Sequence, residues 1–259
     1  METHRHSHTQ GKRWTHYLWE FLMLFFAVFA GFIAENLREN FTERKREKKY
    51  IESLVDDLKK DTLLIRRISK VNLKLARGQD SLIDLLNNLT DTTNNSRKLY
   101  LDYFLYTTGL QKVEFAERTM TQLLNAGNMR LIEKHGISDS IMDYYLYTKS
   151  VMDQGNAYEE YLKKTLDLSI SIFDFTYARA TLSDDYKMIP KARPADLKLL
   201  TADRAAFKNY AVHLSLLKAI LQGYLINLKE AELRAAALIE LLKKTYHLRE
   251  ATEPNHNKD

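Results

Sequence analysis

The sequence predicts an all-α protein in which one N-terminal transmembrane helix continues into a long-helix antiparallel bundle. Three observations predict it. Residues 14–34 form a single apolar stretch long enough to cross a bilayer. Turn formers are scarce: eight glycines and three prolines in 259 residues, with Pro190, Pro194 and Pro254 all late in the chain. Over much of the rest, apolar residues recur at i, i+3, i+4 and i+7. A helix cannot bury such a stripe alone, so the stripes must pack on one another.

Residues 21–34 carry no polar side chain. Tyr17, Leu18 and Trp19 lengthen the stretch if Glu20 is admitted. Eighteen residues then rise roughly 27 Å, close to the hydrocarbon thickness. Trp14, Tyr17 and Trp19 crowd one end, where amphipathic rings favour the headgroup layer. A cleaved signal peptide would need a small-x-small site after the apolar core, and Phe32 and Ile33 spoil the pattern there. An uncleaved anchor over residues 14–36 is expected.

Glu20 is costly in lipid. At about 100° per residue it shares one narrow stripe with Ala27, Gly31 and Ala34. Ala27 and Gly31 form a small-xxx-small pair, which lets two backbones approach closely. One reading is a helix–helix seam with Glu20 against a partner, and with His16 one turn earlier able to share a proton or hydrogen bond. The other places Glu20 near the aromatic belt, reaching water.

Residues 1–50 hold nine Lys/Arg against six acids, and the remainder thirty against twenty-eight. The basic balance is therefore partly juxtamembrane. A near-neutral bundle argues against a nucleic-acid partner. Arg44, Lys45, Arg46, Lys48 and Lys49 fit lipid headgroup contacts. The interleaved Glu39, Glu43 and Glu47 equally fit a charge-paired stalk over residues 37–50. No cysteine occurs, which excludes disulfides, thiolate nucleophiles and Cys-type zinc sites. Counting Lys and Arg beside the span leans the C-terminal domain to the cytoplasm. A short basic tail before an uncleaved anchor argues the reverse.

Residues 1–13 read as a disordered tail, in which His4, His6 and His8 alternate without a fixed metal geometry. From residue 51 an amphipathic helix carries Ile51, Leu54, Val55, Leu58, Ile65, Ile68, Val71 and Leu75, with a kink or break expected at Gly78. Residues 87–96 read as a loop, with helices over 99–110, 114–125 and 129–134 to follow. Residues 137–140 look like the cap of a helix reaching Ser169. A break at 183–194 precedes a last helix from Pro194 to His247, striped by Phe207, Ala211, Leu214, Leu217, Leu221, Leu225 and Leu228. The bundle thus spans 51–248, with a disordered tail over 249–259.

The search for chemistry is mostly negative. There is no Gly-rich phosphate loop, GxSxG or HExxH, and the one ExxH match, Glu253 to His256, contains Pro254. No cofactor or metal site is expected. Asp56, Asp57 and Asp61 lie among Lys59 and Lys60 and read as a solvated face. Glu159 and Glu160 before Lys163 and Lys164 read as i,i+4 pairs. His213 has no ligand-spaced companion. Tyr100, Tyr103 and Tyr106, and Tyr144, Tyr145 and Tyr147, read as aromatic core with hydroxyls at the edge.

Two patches carry a resemblance. Glu20-Phe21, Ala27, Gly31 and Glu35-Asn36, followed by a charged run, form the first. Thr121, Leu124, Gly127-Asn128, Leu131-Ile132, Ile137, Ile141 and Tyr144-Tyr145 form the second. Together they resemble a family of single-span proteins of Bacteroidota-type bacteria built on a domain of unknown function. Glu35 stands where that family has Asn, and Leu37 where it has Trp. The resemblance implies membrane anchoring and helicity and transfers no activity.

The expectation is a non-enzymatic, single-pass scaffold or accessory protein of the bacterial inner membrane. It would act through protein–protein contacts as a homo-oligomer or with another membrane protein. The alternative is a sensor whose bundle binds a small ligand and signals through a membrane partner.

Overall fold

A computed structural model describes residues 14–89, 92–107, 109–176, 180–182, 188–190 and 197–248. The two tails expected to be disordered, with His4, His6 and His8, lie outside them. Five α-helices occur among the described residues: α1 (Trp14–Asn87), α2 (Thr92–Tyr106), α3 (Arg118–Asn125), α4 (Ile137–Ser169) and α5 (Arg204–Tyr246). The fold is all-α, with one minor addition: β1 (Ala180–Leu182) and β2 (Met188–Pro190) pair antiparallel where a plain break was expected. Two compact units divide between Tyr50 and Ile51.

In the first unit, α1 presents its apolar side chains outward. Trp14 through Ile33 are exposed or nearly so. This part of the helix is long and apolar enough to cross a membrane. Its apolar surface has no protein core to enter.

In the second unit, α1, α4 and α5 each bury a stripe with alternating steps of three and four residues. On α1 the stripe is Ile51, Leu54, Leu58, Asp61, Ile65, Ile68, Asn72, Leu75, Gln79, Leu82 and Leu86. On α4 it passes through Ile141, Tyr144, Thr148, Val151, Gly155 and Tyr158, and on α5 through Leu214, Leu217, Leu221, Tyr224, Leu228 and Ala231. This 3.5-residue period keeps one seam of a helix facing its neighbours along its length. Each fully buried Leu contributes roughly 1.5–3 kcal/mol over leaving it in water. α5 also passes the length-and-apolarity test for a span, but its stripe lies in the bundle core.

Cross-helix bonds give the directions. Lys208 reaches Asn87, Lys218 reaches Asp80 and Arg66 pairs with Glu232, so α5 runs antiparallel to α1. Asn227 bonds Gln154 while His213 bonds Tyr161, so α5 also opposes α4. Gln79 bonds Tyr158 while Asp61 bonds Tyr144, so α1 and α4 run parallel.

A parallel pair needs a return path, and the chain between α1 and α4 supplies it. α2 folds back along the end of α1, where Ser81 meets Asp102 and Gln79 meets the Tyr106 carbonyl. Residues 109–117 then run without helix, the alternating burial of 112–115 marking an extended stretch, and α3 and a 3-10 turn (Asn128–Leu131) complete the return. The chain reverses at Gly127 and Gly136, both at positive φ (63° and 72°) where a side chain would be strained.

Several expectations are corrected. α1 does not break at Gly78 but runs unbroken from Trp14 to Asn87. The Tyr106 ring lies on that residue, so closely that a Cβ there would sit 2.0 Å from Tyr106 Cδ1. Val71 faces out and Asn72 takes the buried place beside it. α2 starts at Thr92 rather than after residue 96, and it ends at Tyr106 rather than 110. α3 starts at Arg118 rather than 114. The stretch Lys112-Val113-Glu114-Phe115 alternates charged and apolar residues, the period of an extended chain; Val113 and Phe115 are buried, Lys112 and Glu114 exposed. Gly136, not a side chain of residues 137–140, caps α4. α5 starts at Arg204 because Asp203 accepts from the Ala205 amide at 2.9 Å.

Candidate functional site

The apolar N-terminal part of α1 comes first. His16 Nε2 lies 3.0 Å from Glu20 Oε1, one turn apart on the helix. Ala27, Gly31 and Ala34 continue that face, with Leu24 between them on the same side. Nothing lies within 4 Å of the place a Cβ would take at Gly31. On the opposite side Phe21, Phe25 and Phe29 stack ring to ring, with centroids 6.2 and 5.9 Å apart. The helix is therefore two-sided: an aromatic ladder against a face of small residues carrying one acid. Trp14, Tyr17 and Trp19 are exposed at its start.

Beyond the span, Arg38 pairs with Glu35, and Asn40 bonds Asn36. Arg44, Lys45, Arg46, Lys48 and Lys49 are all exposed, as headgroup contacts require. Within the charge-paired stalk expected over residues 37–50, Glu47 is buried.

In the bundle, the polar groups gather along the extended strap of residues 109–117. An extended chain inside a helical bundle has backbone groups with no ladder to join, and buried ones must find partners. Helix side chains provide them. Asn72 Nδ2 donates to the Gln111 carbonyl at 2.8 Å, and its Oδ1 accepts from the Gln111 amide at 2.9 Å. Tyr224 Oη accepts from the Val113 amide at 2.9 Å. Asp61 Oδ1 accepts from the Ala116 amide at 2.8 Å, and Thr119 Oγ1 donates to Asp57 at the start of α3.

This corrects the reading of the acids. Asp57 and Asp61 are not solvated: they are 8% and 4% exposed. Asp61 also accepts from Tyr144 Oη at 3.3 Å. Burial pushes its carboxyl up from 3.8 to about 6, against the lowering effect of the Ala116 and Tyr144 bonds. The same burial, with Asp61 beside it, raises the Tyr144 hydroxyl. One signal was present in the sequence: Asp61, Asn72 and Gln79 all interrupt the α1 stripe at positions its spacing reserves for the core.

The tyrosine hydroxyls work inside rather than at the edge. Tyr100 Oη accepts from the Asp174 amide at 2.7 Å and donates to the Lys198 carbonyl at 2.9 Å, tying the end of α4 to the approach of α5. Tyr103 meets Ser169 at 3.1 Å. Tyr158 is fully buried, and that burial raises its hydroxyl to about 12 despite the Gln79 bond. His213 is held by a tyrosine: Tyr161 Oη lies 2.9 Å from its Nδ1. Glu159 pairs with Lys112 of the strap at 3.0 Å rather than with Lys163.

Two concavities among the described residues lie near these polar groups. One holds about one water and lies beside Asp57, Asp61 and Tyr144, walled by Leu54, Leu58 and Ile141. The other is an open groove between α4 and α5, lined by Ser140, Asp143, Arg234 and Leu241 among others. No group of three or more His, Cys, Asp or Glu residues among those described could hold a metal ion.

Known proteins add nothing to this geometry. No family model, curated protein or solved structure matches the chain. Function must be argued from the residues alone.

Proposed function

We propose that this is a single-pass scaffold or accessory protein of the bacterial inner membrane, allied to the Bacteroidota-type family it resembles. It acts through protein–protein contacts and associates with itself along the Glu20, Ala27, Gly31 and Ala34 face. The observation that carries this reading is the two-sided helix, apolar enough to span and with no core to receive it. Small residues let backbones approach, and a second helix would shield the Glu20–His16 pair from lipid. The exposed basic run from Arg44 to Lys49 suits anionic headgroups, and the Lys/Arg count favours a cytoplasmic bundle.

The reading is non-enzymatic. Support comes from the buried polar groups of the bundle, whose bonds hold backbone or join helices. A second reading, a ligand sensor signalling through a membrane partner, is favoured by the open α4–α5 groove with Arg234 and Asp143 at its wall.

The test is Gly31→Leu in a membrane two-hybrid assay. A Cβ at this position meets nothing within 4 Å, and leucine is a good helix former, so the helix itself should be kept. Association falls if the face is a seam and stays unchanged if it is lipid-facing. Metabolite-dependent thermal shifts that vanish in Arg234→Ala would favour the sensor instead.

A further inference from the structure

We propose that Asp61 is a proton-operated latch that sets how firmly the strap of residues 109–117 is held against α1 and α4. Three elements meet at this one carboxylate. It stands on α1 at a core position, accepts from the Ala116 amide of the strap at 2.8 Å, and accepts from Tyr144 Oη of α4 at 3.3 Å. Every partner is neutral, so nothing in direct contact balances its charge.

The charged and titratable surroundings are few. On α1, Asp57 lies one turn earlier and Lys60 adjoins, but Lys60 points to Asp57 at 3.3 Å and is itself largely exposed. On the strap, Glu117 is taken by Lys149 of α4. α4 adds Tyr144 and Tyr145, α3 adds only Thr119 and Met120, and α5 adds the apolar Leu238. The adjoining cavity is walled mainly by carbon, and with room for about one water it leaves the anion poorly solvated.

Protonation relieves this without breaking the junction. A proton on Oδ2 lets the carboxyl donate to Tyr144 Oη, while Oδ1 still accepts from the Ala116 amide. The neutral acid keeps both contacts and loses the buried charge. Acid therefore tightens the strap, and alkali loosens it. The raised carboxyl places the changeover near pH 6.

Hydrogen exchange on the full chain in lipid nanodiscs tests this. Exchange of the peptide spanning 111–120 is followed from pH 5 to pH 8, each rate normalised to the intrinsic rate at that pH. Protection should fall by up to about tenfold as the pH rises, because over pH 5 to 8 a carboxyl titrating near 6 instead of 3.8 shifts the equilibrium by about that factor. Asp61→Asn should abolish the change. Tyr144→Phe removes a donor to the anion and should move the midpoint upward, so it decides the matter if the Asn variant does not fold. Constant wild-type protection, an Asn variant that follows wild type, or an unmoved Phe midpoint would each overturn the latch.

Discussion

Asn72 and Gln111 bond in both directions: the side-chain amide donates to the backbone carbonyl and accepts from the backbone N–H, at 2.8 and 2.9 Å. One side chain thereby does what a neighbouring strand would do. It explains how an extended segment is accepted at the wall of a helical bundle. It also explains an amide, fully buried, at a position where the spacing calls for Leu.

Asn72→Leu should therefore destabilise the protein, although Leu suits a helix core. Both Gln111 backbone groups would lose their partners, at a cost of about 2–3 kcal/mol. Chemical denaturation of the full chain, followed by circular dichroism, measures the difference.

Gly78→Ala inverts the usual rule. Alanine normally stabilises a helix interior by about 1 kcal/mol. Here its methyl would meet the Tyr106 ring, and the ring cannot stay. A net loss of about 1–2 kcal/mol is expected. In a Tyr106→Ala background the sign should reverse, which a double-mutant cycle reads directly.

Asp203→Ala removes the acceptor for the Ala205 amide at the start of α5. It should cost about 1 kcal/mol. The loss should be matched by greater exchange in the first turn of α5 and none at its end. There the Lys134 ammonium, which also lies 4.0 Å over the Tyr246 ring, donates to the Thr245 carbonyl.

Stability should depend on pH through Asp61. Its folded pKa of about 6 lies above the unfolded value of 3.8, so the folded state holds the proton more tightly. The stabilisation from that proton is complete below about pH 4. It is lost as pH rises through 6 and amounts to roughly 3 kcal/mol. Asp61→Asn should thus gain stability over wild type at pH 8 and little at pH 4. Parallel melts at the two values check it.

The helices and their stripes were legible because burial repeats every three or four residues on α1, α4 and α5. A helix apolar and long enough to cross a membrane was legible because it is one nearly unbroken apolar run. Both ends of the strap, 109–110 and 114–117, were expected to be helical because no residue there forbids helix. The clue was the short alternation Lys112 to Phe115, which a longer helical pattern on both sides outweighed. The acids were misread because Asp57 and Asp61 share their turns with Lys59 and Lys60. Local charge looks solvated until another element covers it.

By itself, the sequence determined that this chain is helical, that residues 14–34 suit a membrane, and which carbon-rich faces must pair. These follow from short-range periodicity and from hydrophobicity, which each segment carries within itself. Only the tertiary structure decided that Asn72, Asp61 and Tyr224 are spent on the backbone of a distant strap. It alone decided that Gly78 makes room for Tyr106 and that α1 and α4 run parallel. A hydrogen bond between residues far apart in sequence has no local signature, because its donor and acceptor acquire meaning only when the fold removes water from both.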